Sequence, residues 1–241
     1  MKKLLTVAFA LAIAVPAMSA EGGKKFSIGV YGGYTMVNPT DINQMLSDYK
    51  DILTALGKDS TLTKFSGGMS AGIEGDYAVT DNLGLGVRIG VVLITDATLK
   101  VNHGNDGVIT LSTRGIPIEF GGRYMAPVSD NLSLGGGVFV GYAPVTLQSK
   151  AELNGSNPPI VKFDGSGLSL EVMASGAYKL APEWSLGLDV GYRLLSNPLT
   201  YAEDDATTGV KKGDPVKHNN DYKDKMDLSG LIAALKISYL F

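Results

Sequence analysis

Two histidines are the residues best suited to act as a general base, and each is followed closely by a carboxylate: His103 by Asp106, and His218 by Asp221. A nucleophilic hydrolase needs a base of this kind beside its nucleophile, with a third group to orient it. No Ser stands beside either histidine at strand spacing, and both lie in segments that read as loops. The expectation is therefore two solvated loop histidines and no catalytic residue. A larger constellation consists of five acids and four bases: Glu74, Asp76, Glu119, Glu171 and Asp189 with Arg88, Arg123, Arg193 and Lys236. Such a set can line an ion path or a gate, or it can tie a structure together. Buried charges are tolerated chiefly when paired and hydrogen-bonded, so the expectation is a closed structural network. Gly84, Gly86 and Gly90 lack the spacing of a dinucleotide loop and no helix follows them. Glu203, Asp204 and Asp205 lack the regular ligand spacing of a calcium loop, so no cofactor and no metal is expected.

The nine charges occupy a regular setting. Eight segments alternate with period two, and the charges fall on the small, Gly-rich faces. The opposite faces run Phe26 to Met36, Phe65 to Tyr77, Leu83 to Leu93, Ile116 to Tyr124, Leu134 to Tyr142, Leu168 to Tyr178, Trp184 to Tyr192 and Leu231 to Phe241. None of these apolar faces carries a charged residue. Alternation over about ten residues, with one uncharged apolar face, is the pattern of a strand that crosses a bilayer. A soluble sandwich would show denser Lys and Glu and fewer glycines on its outer face. Glycines beside the charges suit a narrow lumen in which long side chains cross the axis. With the first segment running outward, Tyr77, Tyr124, Tyr178, Trp184, Tyr239 and Phe241 fall at one membrane rim. Tyr34, Phe65, Tyr142 and Tyr192 fall at the other, giving two aromatic girdles.

The connections alternate in length. Three are short (Ala78 to Asn82, Met125 to Asn131, Lys179 to Glu183), and four are long: about Asn38 to Lys64, Thr95 to Gly115, Thr146 to Gly165 and Leu194 to Met226. Short periplasmic turns and long external loops are the expected outcome. Within the first long loop, Ile42, Met45, Leu46, Tyr49, Ile52, Leu53 and Leu56 follow helical spacing. Asp41 is placed to cap the helix N-terminus and Gly57 its C-terminus. Such an amphipathic helix must cover its stripe, first of all by lying over the barrel mouth.

The first 20 residues have a basic start at Lys2 and Lys3, an apolar core from Leu4 to Val15, Pro16, and then the small-residue stretch Ala17-Met18-Ser19-Ala20. This is the layout of a cleaved secretory signal peptide, leaving residues 21–241 as the mature barrel domain. The 241 residues include no cysteine, which excludes a disulfide scaffold and a Cys–zinc site. A net charge of −3 gives no reason to expect a nucleic-acid partner.

The alternating C-terminus Leu231, Ala233, Leu235, Ile237, Tyr239 and Phe241 resembles that of the small outer-membrane β-barrel proteins, which include the OmpA membrane domain and OmpX. So do the repeated turns Thr80-Asp81-Asn82-Leu83 and Ser129-Asp130-Asn131-Leu132, and Ile116-Pro117-Ile118-Glu119. The resemblance implies an all-β fold: an eight-stranded antiparallel up-and-down transmembrane barrel in a bacterial outer membrane. It does not extend to a peptidoglycan-binding domain. It also implies that Leu235, Ile237, Tyr239 and Phe241 form the signal read by the barrel-assembly machinery. The partners implied are outer-membrane lipid and lipopolysaccharide, with a surface ligand not identified and a monomeric barrel. The functional expectation is a non-enzymatic protein, structural or acting through its surface loops. The alternatives are a narrow porin-like channel for ions or small apolar compounds and, less favoured, a lipid-modifying enzyme.

Overall fold

The computed structural model describes residues 26–101, 107–153, 160–202, 211–218, 222–223 and 225–241. The signal segment, His103, Asp106, Glu203 to Asp205 and Asp221 lie outside the described residues, as does the side chain of His218.

The elements in chain order are β1 (Phe26–Val37), α1 (Thr40–Ala55), β2 (Ser60–Thr63), β3 (Gly68–Ala78), β4 (Leu83–Val101), β5 (Gly107–Gly115) and β6 (Ile118–Pro127). They continue with β7 (Leu132–Leu153), β8 (Val161–Lys179), β9 (Trp184–Tyr201), β10 (Lys217–His218), β11 (Tyr222–Lys223), β12 (Lys225–Asp227) and β13 (Gly230–Leu240). All pairings are antiparallel, and the sheet closes on itself because β13 pairs with both β9 and β1. The result is an eight-stranded up-and-down barrel. Three of its staves are broken: β2 and β3 form one, β5 and β6 another, and β12 and β13 a third. The break between β5 and β6 falls at Ile116-Pro117. Pro117 has no backbone N–H to donate to a ladder, and its carbonyl instead accepts from Gly90 N at 3.0 Å.

The barrel wall has two storeys, distinguished by which face is apolar. In the membrane storey the outward residues are apolar and exposed, as at Val30, Ile73, Val87, Phe120, Val138, Val172, Leu188 and Leu235. Lipid replaces water around them, so exposure there is favourable. Above it, β4, β5, β7, β8 and β9 continue with the polarity reversed. Ile94, Ala97, Leu99, Leu111, Val145, Leu147, Leu195 and Leu199 point inward and are buried. Lys100, Arg114 and Lys150 point outward and are exposed. This corrects the expected loops: much of Thr95 to Gly115, Thr146 to Gly165 and Leu194 to Met226 is strand. Outside the bilayer water covers the outer face, so the apolar residues must turn inward to leave solvent.

The first long loop holds the helix, and the helix fills the upper end of the barrel. Ile42 and Leu46 join Phe65, Val92, Ile94, Met226 and Leu228 in one continuous apolar core. Asn43 fastens the helix from within, accepting from Phe65 N at 2.9 Å and donating to Phe65 O at 2.9 Å. The capping differs from expectation at the N-terminus. Pro39 occupies the cap with no side-chain hydrogen bond, and Asp41 lies in the first turn. At the other end Gly57, at φ +72°, lets Lys58 N reach Leu53 O (2.9 Å) and Gly57 N reach Thr54 O (3.0 Å). Only the first half of the predicted stripe is covered; Tyr49, Ile52 and Leu56 remain exposed.

One girdle assignment changes, and so does one residue of the first apolar face. Tyr77, Tyr124, Tyr178, Trp184 and Phe241 are exposed at one rim, and Tyr34, Tyr142 and Tyr192 at the other. Phe65, however, is 2% exposed and lies under α1 rather than in the outer girdle. Its chain segment precedes β3, so period-two counting back from Tyr77 does not apply to it. Phe26 is buried at the wall, with its ring stacked 5.9 Å from that of Phe241.

Candidate functional site: the charged lumen

Six of the eight strands of the membrane storey, all but β1 and β7, send one or two charged side chains inward, and the charges meet on the barrel axis. Arg88 of β4 lies near the centre. Its Nε is 2.8 Å from Glu74 Oε2, its Nη1 donates to Glu171 Oε1, and its Nη2 is 3.9 Å from Asp189 Oδ2. Arg123 of β6 donates from Nη1 to Glu74 Oε1 (2.6 Å) and from Nη2 to Asp189 Oδ2 (3.1 Å). Lys236 of β13 donates to the same Glu74 Oε1 at 2.6 Å. On the outer side, Arg193 of β9 donates to Glu171 Oε2 from both Nε (3.0 Å) and Nη2 (2.6 Å). Its Nε also lies 3.7 Å from Glu119 Oε1, which accepts from Ser169 Oγ at 2.5 Å. Asp76 stands at the lower edge, 3.5 Å from Arg123 Nη1 and partly exposed. Glu74, Arg88, Glu119, Glu171, Asp189 and Arg193 are all 3% exposed or less.

The structure thus brings all nine predicted lumen charges into one connected cluster. Carboxylates alternate with cations, so each charge removed from water meets an opposite one at contact distance, the condition under which burial is sustainable. The set holds one more acid than bases. Glu119 Oε2 is a buried carboxylate oxygen without a hydrogen-bond partner among the described residues.

Four residues that carry no charge complete the cluster. The Arg88 guanidinium lies 4.7 Å from the Tyr31 ring centroid and 5.1 Å from that of Phe139, and Arg123 lies 5.5 Å from Phe139. Cations over aromatic faces gain most when shielded from water. Met173 Sδ accepts from Arg123 Nη2 at 3.5 Å and lies 3.8 Å from Arg88 Nη1. With Ser169, these residues stand on inward registers that period-two counting assigns. Phe139, between Val138 and Val140, reads in sequence as part of an apolar run, so only register marks it. Tyr31 lies across the neighbouring strands β3 and β4 because it faces their glycines: a Cβ on Gly72 would lie 2.6 Å from its hydroxyl oxygen.

Below the cluster, at the end of the short turns, the lumen opens into a vestibule of about 550 Å³, lined among others by Ser27, Asp76, Ser175, Asp189, Lys236 and Ser238. Among the described residues no group of three or more metal-ligating side chains occurs. The C-terminal positions lie on the wall rather than in the lumen. Leu235, Ile237 and Phe241 face outward and are exposed. Tyr239 packs edge-on to Trp184 (5.0 Å) and to Phe241 (4.9 Å).

A closed ring of strands with a lipid-facing outer surface and a charged axis can be compared with known proteins. The outer membrane protein beta-barrel domain matches residues 5–214. The chain belongs to the outer-membrane β-barrel family. Its location is accordingly the bacterial outer membrane. Among solved structures, OprG of Pseudomonas aeruginosa is similar at 15% identity and TM-score 0.51, over 91% of this chain and 98% of that one. Neisserial surface protein A is similar at 14% identity and TM-score 0.37, over 92% and 100%. Ail, the attachment invasion locus protein of Yersinia pestis, is similar at 12% identity and TM-score 0.37, over 91% and 100%. At 15% identity the likeness to OprG is one of fold alone. No curated protein matches by sequence.

Proposed function

We propose that this member of the barrel family is a non-enzymatic outer-membrane protein whose lumen is a closed structural core and whose external storey is its working surface. One observation carries the reading: the axis is filled from Lys236 to Leu228, first by the salt-bridged cluster and then by the apolar core beneath α1. A permeant ion would have to break several buried pairs and then cross a dry layer. The network therefore serves to tie the walls of a narrow barrel together. The same reading makes Leu235, Ile237, Tyr239 and Phe241 the assembly signal taken by the barrel-assembly machinery. It leaves lipopolysaccharide and any surface ligand to be met by the storey above the bilayer.

Planar-bilayer recording of the purified, folded protein tests this. The expected trace shows no steady conductance, or rare small openings. A constant, charge-selective conductance would instead promote a narrow channel.

A further inference from the structure

The three periplasmic turns repeat one backbone geometry. Val79 N and Thr80 N donate to Leu83 O at 2.8 and 3.1 Å. Val128 N and Ser129 N donate to Leu132 O at the same two distances, and Leu180 N and Ala181 N donate to Trp184 O at 2.9 and 3.2 Å. Each turn opens with an aliphatic residue that is strongly exposed: Val79 49%, Val128 60% and Leu180 58%. Water-exposed turns favour Gly, Asn, Asp, Ser and Pro, and three aliphatic residues at equivalent places run against that preference.

Register gives their direction. Val79 is bonded across to Leu83, which pairs with the girdle residue Tyr124. Val128 is bonded to Leu132, which pairs with Tyr178. Leu180 is bonded to Trp184, which pairs with Tyr239. Residues opposite one another on antiparallel strands share a face, so all three continue the lipid-facing side. Val79 and Leu180 follow Tyr77 and Tyr178 by two residues. At about 3.3 Å per residue and a tilt of about 40°, this puts them roughly 5 Å beyond the tyrosine belt. The polar part of each turn points the other way, with Asp81 and Asp130 lining the vestibule mouth.

We infer that Val79, Val128 and Leu180 form an apolar tripod seated among the headgroups of the periplasmic phospholipid leaflet, just outside the tyrosine belt, fixing how deep the barrel sits. The tripod is continuous with the lipid-facing band, which identifies its partner as lipid rather than a periplasmic protein. A backbone belt makes it rigid. Asn82 O, Asn131 O and Glu183 O accept from Met125 N, Lys179 N and Leu240 N at 2.7, 2.8 and 2.8 Å, tying each turn to the next strand end.

The absence of native cysteine makes the test direct. Single variants Val79→Cys, Val128→Cys, Leu180→Cys, Asp81→Cys and Asp130→Cys are spin-labelled and folded into pure phospholipid vesicles. Folding is checked by heat-modifiable migration, and collision rates with oxygen and with a water-soluble nickel chelate are measured. The ratio of oxygen to chelate collisions should be higher at 79, 128 and 180 than at 81 and 130. The fluorescence of Val128→Trp in a Trp184→Phe background should in turn be quenched by brominated lipid. Chelate access at 79, 128 and 180 equal to that at 81 and 130 overturns the tripod, as does fluorescence of the Val128→Trp variant that brominated lipid leaves unquenched.

Discussion

Arg123 reaches from β6 across the lumen to Glu74 and Asp76 on β3 and Asp189 on β9, so one side chain couples distant parts of the wall. Arg123→Ala leaves these carboxylates buried with fewer cations. Breaking a buried pair from one side costs about 3–5 kcal/mol, and urea unfolding in vesicles should show a loss of that order. Asn197 presents the opposite case. It is fully buried beside Leu195 and Leu199, and neither of its amide atoms has a partner among the described residues. An orphaned buried polar group costs about 1–3 kcal/mol. Asn197→Leu, close in volume, should therefore raise the unfolding midpoint; a lower midpoint would mean that the amide is bonded in the folded protein.

At the scale of the elements, the outward faces of the membrane strands and the docked helix are separately testable. Val87→Arg and Leu188→Arg place a charge among lipid-facing residues and should cost about 2–4 kcal/mol. Ala234→Ser, on a buried lumen position, should cost far less; equal losses would mean that the faces are exchanged. Met45→Pro removes a helical hydrogen bond inside α1 without touching a spanning strand. Trypsin added to intact cells should then cut at Lys50 or Lys58 faster than in the parent, with the barrel still inserted. The membrane strands and this helix were legible in the sequence because each repeats a single pattern over many residues. The upper storey was not. Segments such as Ala97, Leu99 and Leu111 also alternate, but with the apolar face inward, and a search for outward apolar faces passes over them. Phe65 misled for the reverse reason: it keeps the phase of β3 yet stands before the strand begins. Among the lumen residues, charge and register together marked all nine ions. Phe139 and Met173 were hidden by being apolar on a face that was expected to be polar.

For the whole molecule, closure depends on the two outer strands of the sequence meeting. Residues Ser27 to Val37 pair with Gly230 to Leu240, and Phe241 N donates to Phe26 O at 2.8 Å. Deleting Phe241, or Phe241→Asp, removes the ring that stacks on Phe26 and touches Tyr239. Less heat-modifiable barrel should reach the outer membrane, while export across the inner membrane is unchanged. Undiminished barrel would sink the role assigned to the C-terminal strand.

The vertical order of the lumen, with an open polar vestibule below, ions in the middle and a dry core above, gives the barrel a sidedness. Arg123, Asp76, Asp189 and Lys236 border the vestibule, so solvent and small ions reach the network from that end. The exterior is separated from it by Ile42, Leu46, Phe65 and their neighbours. On the proposed reading, the stability of the barrel is set from the compartment opposite to the one its helix faces. In vesicles of uniform orientation, salt added on the vestibule side should shift the melting of the barrel, and the same salt on the helix side should leave it where it was.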